Sequence, residues 1–514
     1  MKRILICTLL LAIASISGST AADNSQGKLT LHTRGRAADE QEKFSFVYKT
    51  VEWDPAKTAV IVCDMWDKHW CQGATGRVAE LAPRMNRFLC DARKRGVLIV
   101  HAPSSCMDAY AEHPARKRAQ EAPKAELPGF LGGWSGKLDS EKDAKWPIDQ
   151  SDGGCDCRPK CPGGHPWKRQ IDVIEIHEAD AVSDSGVEIG NLLQDRGIEN
   201  VILLGVHTNM CVIGRPFGLR NMVRFGRNVL LVRDLTDTMY NSRSEPKVSH
   251  VRGTELIVEY IEKYVCPTIT SSDLLGGPAL RFKQDTRPHV AMIVSDDHYH
   301  ADKTLPIFAE NLRANHDCYC TVLHGEGKAD IAGMDELEAA DVAVLYIRRL
   351  ALPKPQLDAL RRYLDAGKPL VGLRTASHAF DVHGQAPAGA DEWPTFDGDV
   401  LGGSYHGHGS NTAGTDVTVV AGQTGHAVLR GVDPRKWHSN GSLYNVSPVS
   451  DDATVLMTGT NGTSVEPITW IREHKGGRVF YSALGHPDDF QQPQFRVMLV
   501  NALFWAMDRP AAGK

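Results

Sequence analysis

The sequence predicts an α/β protein of two doubly wound, three-layer domains, Rossmann-like or flavodoxin-like, with mainly parallel sheets. Three observations carry this. Short continuous apolar runs such as Thr58 to Cys63 and Asn200 to Leu204 recur along the chain, as suits strands buried on both faces. Helical periodicity fills the gaps between them, the spacing of βαβ units. The alternation then restarts after a break at Ser271 to Pro288, in a chain of 514 residues. That length exceeds one core at roughly 150 residues per domain.

The elements follow in order. Lys2 and Arg3 precede the apolar run Ile4 to Ile16, and Ser19-Thr20-Ala21 follow; this reads as a secretory leader over residues 1–22, which makes the mature protein secreted or periplasmic. Residues 23–50 are polar with little periodicity and read as an N-terminal arm. The first domain is expected over 51–270. Its strands are Thr58 to Asp64, Val97 to His101, Val173 to Ile176, Asn200 to Leu204 and Asn228 to Val232. Its helices are Val78 to Arg95, Gly186 to Arg196 and Glu245 to Tyr264. Gly276-Gly277-Pro278 and Arg287-Pro288 mark residues 271–288 as a linker. The second domain, 289–510, repeats the alternation with strands from His289, Val342, Pro369 and Arg478, helices from Leu305 and Gln356, and a closing helix Phe495 to Met507.

Composition limits the partners. Hydrophobic residues make up 42% and charged residues 24%, with a net charge of -5. There is no basic footprint, which excludes nucleic acid. No later run of about 18 apolar residues offers a membrane span. The expected partner is a small-molecule substrate, and an oligomer is left open. Of 12 cysteines, leader removal takes Cys7, which leaves an odd number and at least one thiol free or paired between chains.

In doubly wound sheets ligands bind at the carboxyl ends of strands. Asp64 stands at one such end, and Leu203-Leu204-Gly205-Val206-His207-Thr208-Asn209-Met210-Cys211-Val212 forms a strand-turn-helix junction presenting a thiol. A cysteine in the first turn of a helix meets unpaired N–H groups and the positive dipole end, which favour thiolate. A carboxylate at a neighbouring strand end can take a thiol proton.

Cys63-Asp64-Met65-Trp66 together with Gly205 to Val212 resembles the isochorismatase-like cysteine hydrolase family over about residues 50 to 265. The resemblance implies Cys211 as nucleophile, Asp64 as general base and a cis peptide near Val206-His207 shaping an oxyanion hole, with Thr208, Met210 and Trp66 in the pocket. It also implies a lysine at the end of the strand before the cysteine strand. Here that stretch reads Ile174-Glu175-Ile176-His177-Glu178, with no lysine; His177 or Glu178 is the residue available to that space. Trp66, Trp70, Trp134 and Trp167 offer an aromatic lining. Asp67, His69, Cys71 and His101 do not reproduce the acid-and-two-histidine metal set of nicotinamidase-like members. An insertion, Cys155-Asp156-Cys157-Arg158-Pro159-Lys160-Cys161 followed by His165, leaves two readings open: disulfides, or zinc held by three cysteines and the histidine.

In the second half, Gly372-Leu373-Arg374-Thr375-Ala376, Gly402 to His408 and Leu484-Gly485-His486-Pro487 resemble the trehalose-utilisation (ThuA-like) family, related to class I glutamine amidotransferases, over about residues 288 to 508. An amidotransferase needs a cysteine at the sharp strand-helix turn. Arg374 stands there, so glutaminase chemistry is excluded on residue type. What remains at the expected strand ends is Asp297, His298, His300, Arg374, His378, His406, His408 and His486, a pocket for a carbohydrate-related ligand. No cofactor is assigned, and a divalent metal is left open.

Overall fold

A computed structural model of the chain describes residues 27–38, 44–296, 298–325, 330–433 and 435–510. The expected leader lies outside the described residues, as does Asp297. No described helix is long and apolar enough to cross a membrane.

The first sheet is built from β1 (Leu29–Ala38), β2 (Phe44–Trp53), β3 (Thr58–Cys63), β4 (Leu98–Ala102), β5 (Ala181–Val182), β6 (Asn200–Val206), β7 (Asn228–Asp237) and β8 (Thr268–Ile269). Their order across the sheet is β2-β1-β8-β7-β6-β3-β4-β5. All pairs from β8 to β5 are parallel. The central strands are buried along their whole length, as the continuous runs of Val, Ile and Leu require. Helices α1 (Gln72–Lys94), α2 (Pro114–Glu121), α3 (Gly186–Asp195), α4 (Leu219–Arg224) and α5 (His250–Tyr264) flank this sheet. The order steps outward on both sides of the β3–β6 pair, and their carboxyl ends carry Asp64 and Cys211.

Two local expectations are corrected here. Much of the segment read as an arm is an antiparallel hairpin, β1 with β2, joined to the sheet edge through Arg34 opposite Thr268. Residues Leu29, Leu31 and Thr33 alternate inward, a period that charged and polar outward residues obscure in the sequence. Val173 to Ile176 is a turn rather than a strand. The neighbour of β4 is Ala181–Val182, because Asp180 draws the chain in by binding Arg93 and His101.

The second sheet holds β9 (His289–Ser295), β10 (Tyr319–His324), β11 (Val342–Ile347) and the strand Leu370–Leu373, followed by Gly477–Ser482. In sheet order, β10-β9-β11, Leu370–Leu373 and Gly477–Ser482 are parallel. Val465–His474, Thr454–Thr460, Thr415–Val419 and Trp437–Ser439 extend it antiparallel. Helices α6 (Ser272–Leu275), in the connection between the domains, α7 (Ala301–Asn315), α8 (Lys354–Asp365) and α9 (Pro493–Ala506) complete the chain. Both domains are thus α/β with flanking helices, the second more mixed than expected.

The connection between the domains is packed rather than free. Ala279 and Phe282 are buried, and the Ala279 N–H donates to Glu336 in the second domain. From β1, Arg36 reaches Glu310 on α7 at 3.2 Å. Arg287 binds Glu255 on α5 at 2.7 Å. Burial alone would raise the Glu255 pKa, but the charges of Arg287 and Arg252 outweigh it and hold it lowered to about 2. Because the folded value lies below an unfolded value of about 4.3, this stabilisation is complete near neutrality and fades as pH falls through 4 towards 2. Glu255→Gln is expected to cost about 3 kcal/mol in denaturant unfolding at pH 7, and about half of that at pH 3. An equal loss at both pH values would sink the assignment.

Candidate active site

The pairing of β3 with β6, Cys63 opposite Gly205, sets the two functional strand ends side by side. A side chain at Gly205, where φ is +110°, would place its Cβ 2.1 Å from the Cys63 carbonyl oxygen. Only glycine allows the approach. The next peptide, Val206–His207, is cis, as the resemblance implies. Thr208–Val212 then form a short π-helical turn that holds Cys211.

Asp64 leaves its strand in the left-handed region, with φ 48°, and its carboxylate is fully buried. One oxygen accepts the Ser104 N–H at 2.8 Å, and the other accepts Arg215 Nε at 3.0 Å. The Cys211 thiol lies close enough to the same carboxylate for each to shift the other's pKa. Burial pushes the Asp64 pKa up, and the nearby Arg215 charge opposes that rise without cancelling it. Arg215 also lies over the Trp134 ring, 4.8 Å from its centroid. Burial would lower the Arg215 pKa, but Asp64 and the cysteines near it raise it overall, so the guanidinium stays charged.

Sequence reasoning missed Arg215, although a signal was present. It stands four residues after Cys211, the spacing that places two side chains on one side of a helical turn. Its N–H donates to the Cys211 carbonyl at 2.9 Å. The expectation of a thiol acidified by a helix dipole is corrected. The turn is short, the next helix begins only at Leu219, and burial followed by the Asp64 charge pushes the thiol pKa well up. At rest the proton sits on sulfur.

The other expected residues divide. Trp66 stacks on Trp167 with centroids 4.5 Å apart, and His69 stacks near both. His207 meets His69 edge-on at 4.8 Å. Burial, then the neighbouring charge of Arg77 for His69 and of His69 itself for His207, lowers these histidines to about 4 and about 3. Both are neutral near pH 7. His207 Nε2 is buried with no hydrogen-bond partner among the described residues. Met210 is 42% exposed at the surface beside Cys211. Val206 belongs to the core beneath. Thr208 is a pin, its hydroxyl bonded to Thr236 and to the Asp237 carbonyl. His177 does not reach this site. It lies on the exposed turn and pairs with Glu175 at 3.3 Å, because that segment folds about Asp180 instead of running as a strand. The Glu178 carbonyl binds Arg118. His101 is held by Gln170 and Asp180, and Asp67 accepts backbone N–H groups from Lys168 and Arg169, so neither joins His69.

In the second domain Arg374 also leaves its strand in the left-handed region, φ 42°, and is buried. It donates to the Ala483 carbonyl at 2.7 Å, to Tyr299 at 3.1 Å and to Ser442. Its guanidinium lies over the rings of Tyr299 and Tyr444, 4.2 and 4.5 Å from their centroids. His378 stacks on Tyr405 at 4.3 Å, and burial with nearby arginines lowers it to about 2. His298 and His486 both pack against Tyr299. His406 and His408 are exposed, turned to the carbonyls of Ser404 and Gly409, though the His408 ring stands 6.3 Å from that of Tyr444, and His300 opens α7 on the surface. The expected histidine cluster is therefore an arginine held among tyrosines. The tyrosines, scattered through the sequence, carried no spacing signal.

Residues 290–506 match the ThuA family model, described as trehalose utilisation. No curated protein matches the chain. Among solved structures, a ThuA-like protein from Bacteroides uniformis is similar over 46% of this chain and 98% of its own, at 18% identity and a TM-score of 0.35. A cysteine hydrolase from Pseudomonas syringae pv. phaseolicola is similar over 44% of this chain and 94% of its own, at 17% identity and a TM-score of 0.28. An isochorismatase family protein from Desulfovibrio vulgaris is similar over 42% of this chain and 96% of its own, at 14% identity and a TM-score of 0.25. The two families named from sequence motifs are both among what the comparisons return.

Arg215→Met removes the cation facing Asp64 and Cys211. The rate of Cys211 alkylation at pH 7, followed by peptide mass spectrometry, should fall by about tenfold for each unit the thiol pKa rises. Arg215→Lys keeps the charge and should restore part of the rate. An unchanged rate in Arg215→Met would show that Arg215 does not set the local potential.

Proposed function

We propose that residues 51–270 form a thiol-dependent hydrolase of a small amide or related acyl compound, and that the protein is exported. One observation supports this most. A single buried carboxylate, Asp64, accepts from the Arg215 guanidinium and lies beside the Cys211 thiol, whose pKa its charge raises. Proton transfer from a thiol needs an acceptor that is ionised yet basic. Burial makes Asp64 more basic, and the Arg215 charge opposes that rise. In the forward step the Cys211 proton passes to Asp64 as sulfur bonds to the acyl carbon. The leaving group takes that proton as its bond to the acyl carbon breaks. Water then attacks the thioester, giving a proton back to Asp64, and the thiol is regenerated as the acid departs.

In this reading Arg215 takes the place of the missing lysine, approaching Asp64 from the cysteine turn instead of from a neighbouring strand. The Trp66, Trp167 and His69 stack forms the apolar wall, and the unpaired His207 Nε2 is the polar group left for the substrate. The second domain holds Arg374 in the position where a nucleophile would stand. Its side chain is already committed to Ala483, Tyr299 and Ser442, which favours ligand binding over turnover, with aromatic faces suited to a small polar, carbohydrate-related molecule.

A library of small amides and esters, with mass spectrometry of trapped acyl-enzyme, tests this. Acylation at Cys211 is expected, with loss of turnover in Cys211→Ala. Asp64→Asn should reduce kcat by about 10²- to 10⁴-fold, yet speed alkylation of the resting thiol, since the charge that raises the thiol pKa is gone. kcat/KM should rise with pH through the raised Asp64 pKa, above the ordinary value of about 3.9. Hydrolysis that survives Cys211→Ala would overturn the proposal.

A further inference from the structure

Outside the Cys211 site, four cysteines come together from two distant parts of the chain. Cys71 is the residue before α1, and Cys155, Cys157 and Cys161 belong to the insertion. Their sulfurs all lie within 4.8 Å of one another. The Cys71 and Cys157 sulfurs are 3.8 Å apart. That is far beyond a disulfide bond of about 2.05 Å. It equals the edge of a tetrahedron whose centre lies about 2.3 Å from each corner, the zinc–thiolate distance, since that edge is about 3.8 Å. We propose that Cys71, Cys155, Cys157 and Cys161 bind one zinc ion as a closed, four-thiolate structural site.

The surroundings suit thiolates. The N–H of Gln72 donates to the Cys161 sulfur at 3.4 Å, and that of Gly73 to the Cys157 sulfur at 3.3 Å. Both amides belong to the first turn of α1, a helix of 23 residues, whose positive end favours the negative cluster. A side chain at Gly73 would press on the Cys157 sulfur, its Cβ 3.3 Å away, and one at Gly154 would strike the Met239 carbonyl at 2.4 Å. Soft thiolates in a tetrahedron select zinc over oxygen-seeking cations such as calcium or magnesium. The reading with His165 as a ligand is corrected: His165 stands edge-on to Trp167 at 4.9 Å, and Cys71 supplies the fourth sulfur.

The site also bears on the neighbouring turn that carries Cys211. Gln150, just before the insertion's cysteines, accepts from Asn209 at 2.9 Å, and Asn209 binds Met239 through both its amide atoms. Asn209 is two residues from Cys211. A metal that pins the insertion to α1 therefore also braces the turn that carries the thiol.

Metal analysis of the purified mature chain by inductively coupled plasma mass spectrometry tests the site. One zinc per chain is expected, falling below a tenth of that in Cys155→Ser and in Cys161→Ser. Should those variants fail to fold, cobalt exchange of the wild-type protein gives the second readout: intense sulfur-to-cobalt charge-transfer and visible bands of a four-thiolate tetrahedral site. Non-reducing peptide mapping supplies the opposing result. Disulfides among these four cysteines in metal-free protein, or zinc retained in both folded variants, would overturn the proposal. The readouts do not involve turnover, so they stand apart from the fate of the hydrolase reading.

Discussion

The buried Asp64 carboxylate is the constraint to which the first domain conforms. A carboxylate removed from water is costly unless it is paired and hydrogen-bonded. Here the pairing comes from separate places, an N–H after β4 and a guanidinium beyond β6, with the thiol close by. Each requires the sheet order around β3 to be as it is. Gly205 permits the close approach of the strand ends, and the left-handed turn at Asp64 aims its side chain between them. Arg215 does two things in this setting. It opposes the burial-driven rise in the pKa of the acid, and it restrains the same rise in the thiol beside it.

The two domains apply one architectural device to different chemistry. In each, the residue that ends a central parallel strand turns into the left-handed region, Asp64 in one and Arg374 in the other. Backbone held in that sparsely populated region gathers at functional sites, where the surrounding structure sustains it. In the first domain it presents an acid to a thiol. In the second it presents a cation to tyrosine faces and carbonyls. The shared geometry belongs to the α/β scaffold, and the chemistry belongs to the side chain placed upon it.

Accessory segments bind this scaffold together. The β1–β2 hairpin closes one edge of the first sheet and sends Arg36 to α7 of the second domain. At the other side of the site, the cysteine-bearing insertion packs against the start of α1 and the chain after β7. Both lie in stretches whose sequence looks like loop. Their order comes from partners far along the chain.

The sequence by itself determined the α/β class and the two strand ends that carry Asp64 and Cys211. These are legible because apolar runs and helical periods are local, and because Asp64 and Cys211 stand beside motif residues that identify the turn. Only the tertiary structure decided what surrounds them. Arg215 rather than His177 faces Asp64, since the stretch before β5 folds about Asp180 and the cysteine turn points its own arginine inward. Cys71 rather than His165 joins the three insertion cysteines, since α1 begins where the insertion lands. The thiol is protonated because burial and a neighbouring carboxylate outweigh a short helical turn. Each of these depends on the distance between groups far apart in the chain, and the energy of a charge or a thiol is set by such distances and by its separation from water.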